Sequence, residues 1–144
     1  MEAVERVALL LGGHTVLRRR VRTWADLERL VRAGLPKRSL QLVARRAVAR
    51  DASASAFVYT VVPPATFKRR RSKLSVEESE RTERLARVVA QAEAVWADRD
   101  QSRAFLNRPH PLLGGATPLD VARTELGARR VERLLSDVQH GLPL

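Results

Sequence analysis

The sequence predicts an all-α protein of about six to eight short helices, and three features carry that prediction. One helix face, spaced i, i+3, i+4, i+7, i+8, is filled by apolar residues at Leu40, Val43, Ala44, Ala47 and Val48. Three helix starts, at Thr23, Ser75 and Thr117, pair a side-chain acceptor with a carboxylate three residues later. Residues 56–62 resemble a strand in composition, but the chain offers no partner strand for them.

The first helices follow from apolar faces and their caps. Residues 3–11 form a short apolar helix that ends at Gly12-Gly13. Thr23 and Asp26 cap the next helix, and Gly34 suits the left-handed position after its last turn. Its apolar face consists of Trp24, Leu27, Leu30 and Val31.

Prolines punctuate the middle of the chain. Pro36 fits the first turn of the helix that contains Leu40, because a proline there loses no hydrogen bond. Residues 56–62 are β-branched and aromatic, which favours a strand, but the missing partner favours a short buried helix instead. Pro64 then opens a helix that we predict to run through Arg71.

The second half is predicted to contain a long helix and several shorter ones. Ser75 and Glu78 cap a linking helix over about residues 76–97. The apolar face of that helix is made by Leu85, Val88, Val89, Ala92 and Trp96. Another helix ends before Asn107, and the loop at residues 109–115 is predicted to be irregular. Gly127 is predicted to break the chain before a last helix that Gly141 ends.

Charge is distributed unevenly along the 144 residues, whose net charge is +11. Residues 1–73 contain 17 basic and 5 acidic side chains, whereas residues 74–144 contain 10 and 11. Codon bias toward arginine would raise arginine throughout the chain and would not place the net charge on one side. We therefore predict a polyanion-binding region at 1–73 and a region with another task at 74–144.

Composition excludes several classes of protein. The chain has no cysteine and three scattered histidines, His14, His110 and His140, which excludes a zinc site of the usual ligand type. We find no phosphate-binding loop and no nucleophile with a base at catalytic spacing, so we predict no enzyme and no cofactor. No apolar run approaches the ~18 residues of a membrane span, and no signal-peptide pattern is present, which predicts a soluble cytoplasmic protein.

The basic run at residues 65–73 is the sharpest candidate site. It follows a short apolar helix and a turn, as the recognition helix of a helix-turn-helix does. Phe67 would be its buried anchor. The predicted DNA-contacting side chains are Thr66, Lys68, Arg69, Arg70, Arg71 and Lys73. The alternative is a solvated basic face without a ligand, and the run at residues 18–22 has the same two interpretations.

Apolar residues in a loop and at the end of the chain form a second candidate site. The loop at 109–115 reads Pro-His-Pro-Leu-Leu-Gly-Gly, and the chain ends Gly141-Leu142-Pro143-Leu144. Exposed apolar groups are unfavourable unless another surface covers them. That surface is either the core of this protein or a partner.

Motifs along nearly the whole chain resemble a known family. The loop at 109–115, extended by Thr117-Pro118-Leu119-Asp120, is similar to the toxin-binding domain of the Xre/MbcA/ParS antitoxins, as are residues 103–106, 124–131 and 140–141. Residues 11–13, 32–36, 68–70 and 74–81 resemble the Xre-like helix-turn-helix of the same antitoxins. The chain departs from that pattern at residues 57–62, where the family has better helix formers.

The resemblance implies a type II antitoxin paired with a RES-domain toxin that consumes NAD. Such an antitoxin covers the active site of the toxin with its C-terminal domain, and it represses its own operon as a dimer bound to promoter DNA. The toxin-binding residues implied are Pro111, Leu112, Leu113, Gly114, Gly115, Thr117, Arg130, Leu134, His140, Gly141, Leu142, Pro143 and Leu144. The alternatives are a stand-alone helix-turn-helix regulator and a toxin-binding module without specific DNA binding.

Overall fold

The computed structural model describes residues 1–48 and 51–141, and it confirms the all-α prediction. These residues contain ten α-helices, one turn of 3-10 helix and no strand. The helices are α1 (Ala3–Leu10), α2 (Gly13–Leu17), α3 (Trp24–Ala33), α4 (Lys37–Ala47), α5 (Asp51–Val61), α6 (Pro64–Arg69), α7 (Val76–Trp96), α8 (Arg99–Asn107), α9 (Pro118–Val121) and α10 (Glu125–Gln139). The predicted number was too low, partly because α2 and α9 are separate helices of five and four residues.

Local caps fix the starts of the helices. Thr23 and Ser75 both form the predicted capping boxes, in which the hydroxyl and the carboxylate each accept a backbone N–H. Thr117 Oγ1 accepts the N–H of Asp120 at 3.1 Å and so starts α9. Pro36 stands one residue before α4 rather than in its first turn.

Residues 56–61 of the strand-like segment are helical, which confirms the preferred interpretation. Phe57, Val58, Val61 and Val62 are buried, and α5 packs mainly against α4. Burial of this apolar face therefore outweighs the strand preference of its β-branched and aromatic residues.

Helix α7 lies at the centre of the fold. It packs against α1, α3, α4, α5, α8 and α10, and so contacts helices from both ends of the chain. Leu85, Val88, Val89 and Ala92 are buried as predicted, whereas Trp96 is only half-buried. The four buried residues belong to one continuous apolar core that also includes Leu40 and Leu135, and Trp96 packs against that core.

Three local predictions were wrong. Helix α6 ends at Arg69 rather than Arg71. The apolar loop is not wholly irregular, because Pro111–Leu113 form one turn of 3-10 helix. Gly127 lies inside α10 and does not break the chain; it is buried because α10 approaches the backbone of Val121 there.

Among the residues described, no helix combines the length and apolar character needed to cross a membrane.

Candidate nucleic-acid and partner-binding surfaces

Helix α6 is anchored to the protein by one buried side chain. Phe67 is buried, and its ring packs edge-on against Tyr59 with centroids 6.2 Å apart. Lys37 Nζ lies 4.3 Å from the centre of the same ring, a cation–π contact. Pro64 occupies the first helical position, where its missing N–H removes no hydrogen bond.

The opposite side of the segment carries cations in solvent. Lys68, Arg69, Arg71 and Lys73 are exposed, and none of their side chains has a hydrogen bond or ion pair within residues 1–48 and 51–141. We call these four residues the basic surface. Thr66, also predicted to contact DNA, is half-buried beside them. Free cations in a row suit the phosphates of a nucleic acid.

Arg70 differs from its neighbours. We predicted that it projects outward, but its guanidinium donates to the buried carboxylate of Glu78, with Nε 3.1 Å from Oε1. The sequence gives no signal for this pair, because the two residues are eight apart and a non-helical segment separates them.

A groove between the 3-10 turn and α10 forms the second candidate surface. We call it the leucine–arginine groove; its volume is about 560 Å³, and it is lined by Leu112, Leu126, Arg129, Arg130, Arg133, Leu134 and Asp137. Leu126 is 73% exposed and Leu112 is 54% exposed. Arg129 pairs with Glu125 at 3.6 Å and Arg133 with Asp137 at 3.5 Å, whereas Arg130 has no ion pair among the described residues, so the groove keeps a net positive charge beside its leucines. Such a surface suits a protein partner that offers an apolar side chain beside carboxylates.

The wall of the groove that contains Leu112 is held by a closed loop. His110 donates its backbone N–H to Ala116 O at 3.0 Å, and its Nδ1 accepts the N–H of Leu112 at 3.1 Å. Gly114 and Gly115 both have positive φ, which lets the chain reverse between these contacts.

Ion pairs hold the other wall, α10, against α7. Arg84 Nε lies 3.0 Å from Glu125 Oε2, and Arg87 Nη1 lies 3.3 Å from Glu132 Oε1. The hydrogen bond from Arg84 lowers the pKa of Glu125, so this carboxylate is ionised at neutral pH. Both walls of the groove are therefore fixed before any partner binds.

The predicted toxin-binding residues fall into several places. Leu112, Arg130 and Leu134 line the groove. Leu113 is buried in the core, whereas Pro111, Gly114 and Gly115 are exposed at the turn. Thr117 caps α9, and His140 and Gly141 are exposed at the end of α10. Leu142, Pro143 and Leu144 lie outside the described residues.

Four residues of the groove were missed: Leu126, Arg129, Arg133 and Asp137. The signal for Leu126 was present, because Leu126, Arg130 and Leu134 follow one another at intervals of four on one helix face. The predicted break at Gly127 separated Leu126 from that face. The error in the helix boundary therefore hid an anchor of the groove.

Beneath α10, Arg87 is shared among three carboxylates. Its Nε lies 2.8 Å from Glu83 Oε2, and its terminal nitrogens lie 3.6 Å from Glu125 and 3.3 Å from Glu132. Burial raises the pKa of Glu83, and attraction to Arg87 offsets this only in part. Ionised Glu83 therefore reduces the stability of the folded protein at neutral pH.

Glu83→Gln is expected to raise the melting temperature at about pH 7 and to have no effect near pH 4. The sign follows because the pKa of Glu83 is higher in the folded state, which therefore gains stability as the pH falls through that value. Arg87 keeps Glu125 and Glu132 as partners in the variant. Thermal unfolding followed by circular dichroism at both pH values measures the effect, and a lower melting temperature at pH 7 would contradict it.

A larger groove, about 730 Å³, runs along α7 between α3 and α10. Its lining mixes Glu28, Glu80 and Glu132 with Arg6 and Arg32, so it favours neither sign of charge. None of the predicted site residues lines it.

Within the part of the chain that the structure describes, no three histidine, aspartate or glutamate side chains are grouped closely enough to hold a metal ion.

Two family matches cover both candidate surfaces. Residues 26–87 match the Antitoxin Xre-like helix-turn-helix domain, and residues 91–141 match the Antitoxin Xre/MbcA/ParS C-terminal toxin-binding domain. The first segment includes the basic surface, and the second includes the whole leucine–arginine groove. The two segments meet within α7.

Curated relatives agree with these matches. The protein named Antitoxin Xre from Pseudomonas putida is 32% identical over 87 residues, which is 58% of this chain and 55% of that protein. Antitoxin Xre from Photorhabdus laumondii is 33% identical over 73 residues, or 50% and 49%. The Prs ADP-ribosylating antitoxin of Sphingobium sp. (strain YBL2) is 35% identical over 77 residues, or 47% and 48%. The chain spans about half the length of these relatives. By its two family matches, it belongs to the Xre/MbcA/ParS family of antitoxins.

Proposed function

We propose that this chain is the antitoxin of a type II toxin–antitoxin pair, and that its residues 74–144 cover the active site of a RES-domain toxin that degrades NAD. The observation that carries the proposal is the leucine–arginine groove. Leu112 and Leu126 are exposed there on rigid elements, inside the segment that matches a toxin-binding domain. Exposed leucines in a preformed groove mark a surface that a partner covers.

The mechanism is steric and needs neither catalysis nor a cofactor on this chain. When the groove binds the toxin, the end of α10 and the residues after it lie at the entrance of the toxin's active site. There they block the entry of NAD. The relative named Prs ADP-ribosylating antitoxin supports NAD chemistry in the partner, because ADP-ribose transfer uses NAD as its donor.

Residues 1–73 give the antitoxin its second task, which is binding to its own promoter. Thr66 and the basic surface lie on α6 and the residues just after it, and α6 follows α5 and a two-residue turn within the matched helix-turn-helix segment. Helix-turn-helix proteins commonly bind as dimers to two half-sites about one turn of DNA apart. We therefore propose a homodimer that represses its operon in the bacterial cytoplasm.

Removal of residues 141–144 is expected to abolish neutralisation and to leave DNA binding unchanged. The test co-expresses this chain with the product of the adjacent gene, purifies the complex, and measures NAD consumption by that partner with the full-length and shortened chains. The full-length chain should suppress NAD consumption, and the shortened chain should not. Equal protection by both chains would rule out these residues as the block, and a partner that leaves NAD intact would refute the RES assignment.

A further inference from the structure

Arg70 belongs to the basic run but faces the protein. Its Nε and Nη2 donate to Oε1 and Oε2 of Glu78 at 3.1 and 3.3 Å, so both oxygens of the carboxylate are engaged. The side chain of Glu78 is 8% exposed and that of Arg70 is 34% exposed. A planar guanidinium that meets a carboxylate with two parallel bonds fixes orientation as well as distance.

Glu78 is itself fixed from the other side. Its Oε1 accepts the N–H of Ser75 at 2.8 Å, and its own N–H donates to Ser75 Oγ at 3.1 Å, which closes the capping box of α7. Burial opposes ionisation, but the hydrogen bonds from Arg70 and Ser75 outweigh it and lower the pKa of Glu78. The carboxylate is therefore a fixed negative charge at the start of the central helix.

The backbone after α6 is held between α4 and α7 as well. Lys37 Nζ donates to Arg70 O at 3.1 Å, and the Lys37 N–H donates to Ser72 O at 2.9 Å. The Leu74 N–H donates to Leu35 O at 2.8 Å, and the Leu35 N–H donates to Ser79 Oγ at the same distance. Helix α6 has only six residues, too few to be stable alone, so these contacts determine where it points.

We propose that Arg70 is a positioning residue: through Glu78 it fixes α6 on the start of α7, while Lys68 and Arg69 contact DNA phosphates. The inference rests on the proposed DNA binding by α6. A move of Arg70 onto a phosphate would leave the Glu78 carboxylate buried without its cation, which is costly. Lys68 and Arg69 have no intramolecular partner to give up among the described residues.

The salt dependence of DNA binding separates the two roles. Each phosphate contact contributes about 0.9 to the slope of log affinity against log salt concentration. Arg69→Gln, the matched control, should therefore lower the slope by about one, measured between about 50 and 200 mM salt with a fluorescein-labelled duplex of about 30 base pairs. Arg70→Gln should leave the slope unchanged, weaken binding by about three- to tenfold, and lower the melting temperature by about 3–10 °C.

Glu78→Gln gives a second, opposite test. A phosphate-contacting Arg70 would be released by this variant, so DNA binding would become tighter and the slope steeper. A positioning Arg70 loses its anchor, so binding should weaken as in Arg70→Gln, and the double variant should be no worse than either single one. Two results would overturn the positioning role of Arg70 and leave the proposed DNA binding intact. One is tighter binding by Glu78→Gln, and the other is a slope change in Arg70→Gln equal to that of Arg69→Gln. A wild-type chain without affinity for DNA would overturn the positioning role together with the proposed DNA binding.

Discussion

Gly127→Ala is expected to destabilise the protein, although alanine favours a helix over glycine by about 1 kcal/mol. A Cβ atom at this position would lie 1.7 Å from the carbonyl oxygen of Val121 and 2.9 Å from Thr124 Oγ1. The first of these neighbours is backbone, so the turn between α9 and α10 must move. Overpacking of this kind costs about 1–3 kcal/mol and occasionally more, and a backbone clash belongs at the upper end. The net loss should be about 2 kcal/mol.

Thermal unfolding measures this loss as a fall of about 4–8 °C in melting temperature. Leu126→Ala is the matched control, because it changes the preceding residue of the same helix turn, where the side chain is exposed. That control should keep the melting temperature within about 2 °C of wild type. A Gly127→Ala variant more stable than wild type would show that helix preference dominates and that α9 and α10 separate readily.

Gly127 also shows why part of the fold could not be predicted from the sequence. The starts of α3 and α7 were predictable, because Thr23 and Ser75 cap their helices with residues three positions away. A glycine in a helical sequence pattern either ends the helix or allows the backbone of another segment to approach closely. Only the tertiary contact with Val121 distinguishes the two cases.

The candidate site residues were likewise predictable only where the signal is local in the sequence. The exposed cations Lys68 and Arg69 were predictable from a basic run with a buried Phe67. Arg70 was not, because its partner Glu78 belongs to another helix and no local spacing relates them. The groove was found in part, since motif residues such as Leu112 and Arg130 line it, whereas Leu126 depended on the correct start of α10.

The double variant Leu112→Asp/Leu126→Asp is expected to abolish neutralisation of the toxin. Full burial of one leucine side chain stabilises a complex by about 1.5–3 kcal/mol, so the loss of two corresponds to an affinity at least ~100-fold lower. The new carboxylates would also pair with the groove's own arginines, Arg129 and Arg130, and withdraw them from acidic groups of the partner. Because both leucines are largely exposed, the fold itself should lose little stability.

The dissociation constant of the complex, measured by calorimetry with the co-purified toxin, checks this expectation beside the NAD assay. Leu9→Asp is the control: Leu9 is 56% exposed on α1, outside the segment that matches the toxin-binding domain. Leu9→Asp should bind and neutralise as the wild type does, and both variants should keep their affinity for DNA. If the control loses as much affinity as the double variant, exposed leucines in general hold the toxin. If the double variant still neutralises, the leucine–arginine groove is not the toxin-binding surface, and the residues that follow α10 must bind the toxin without it.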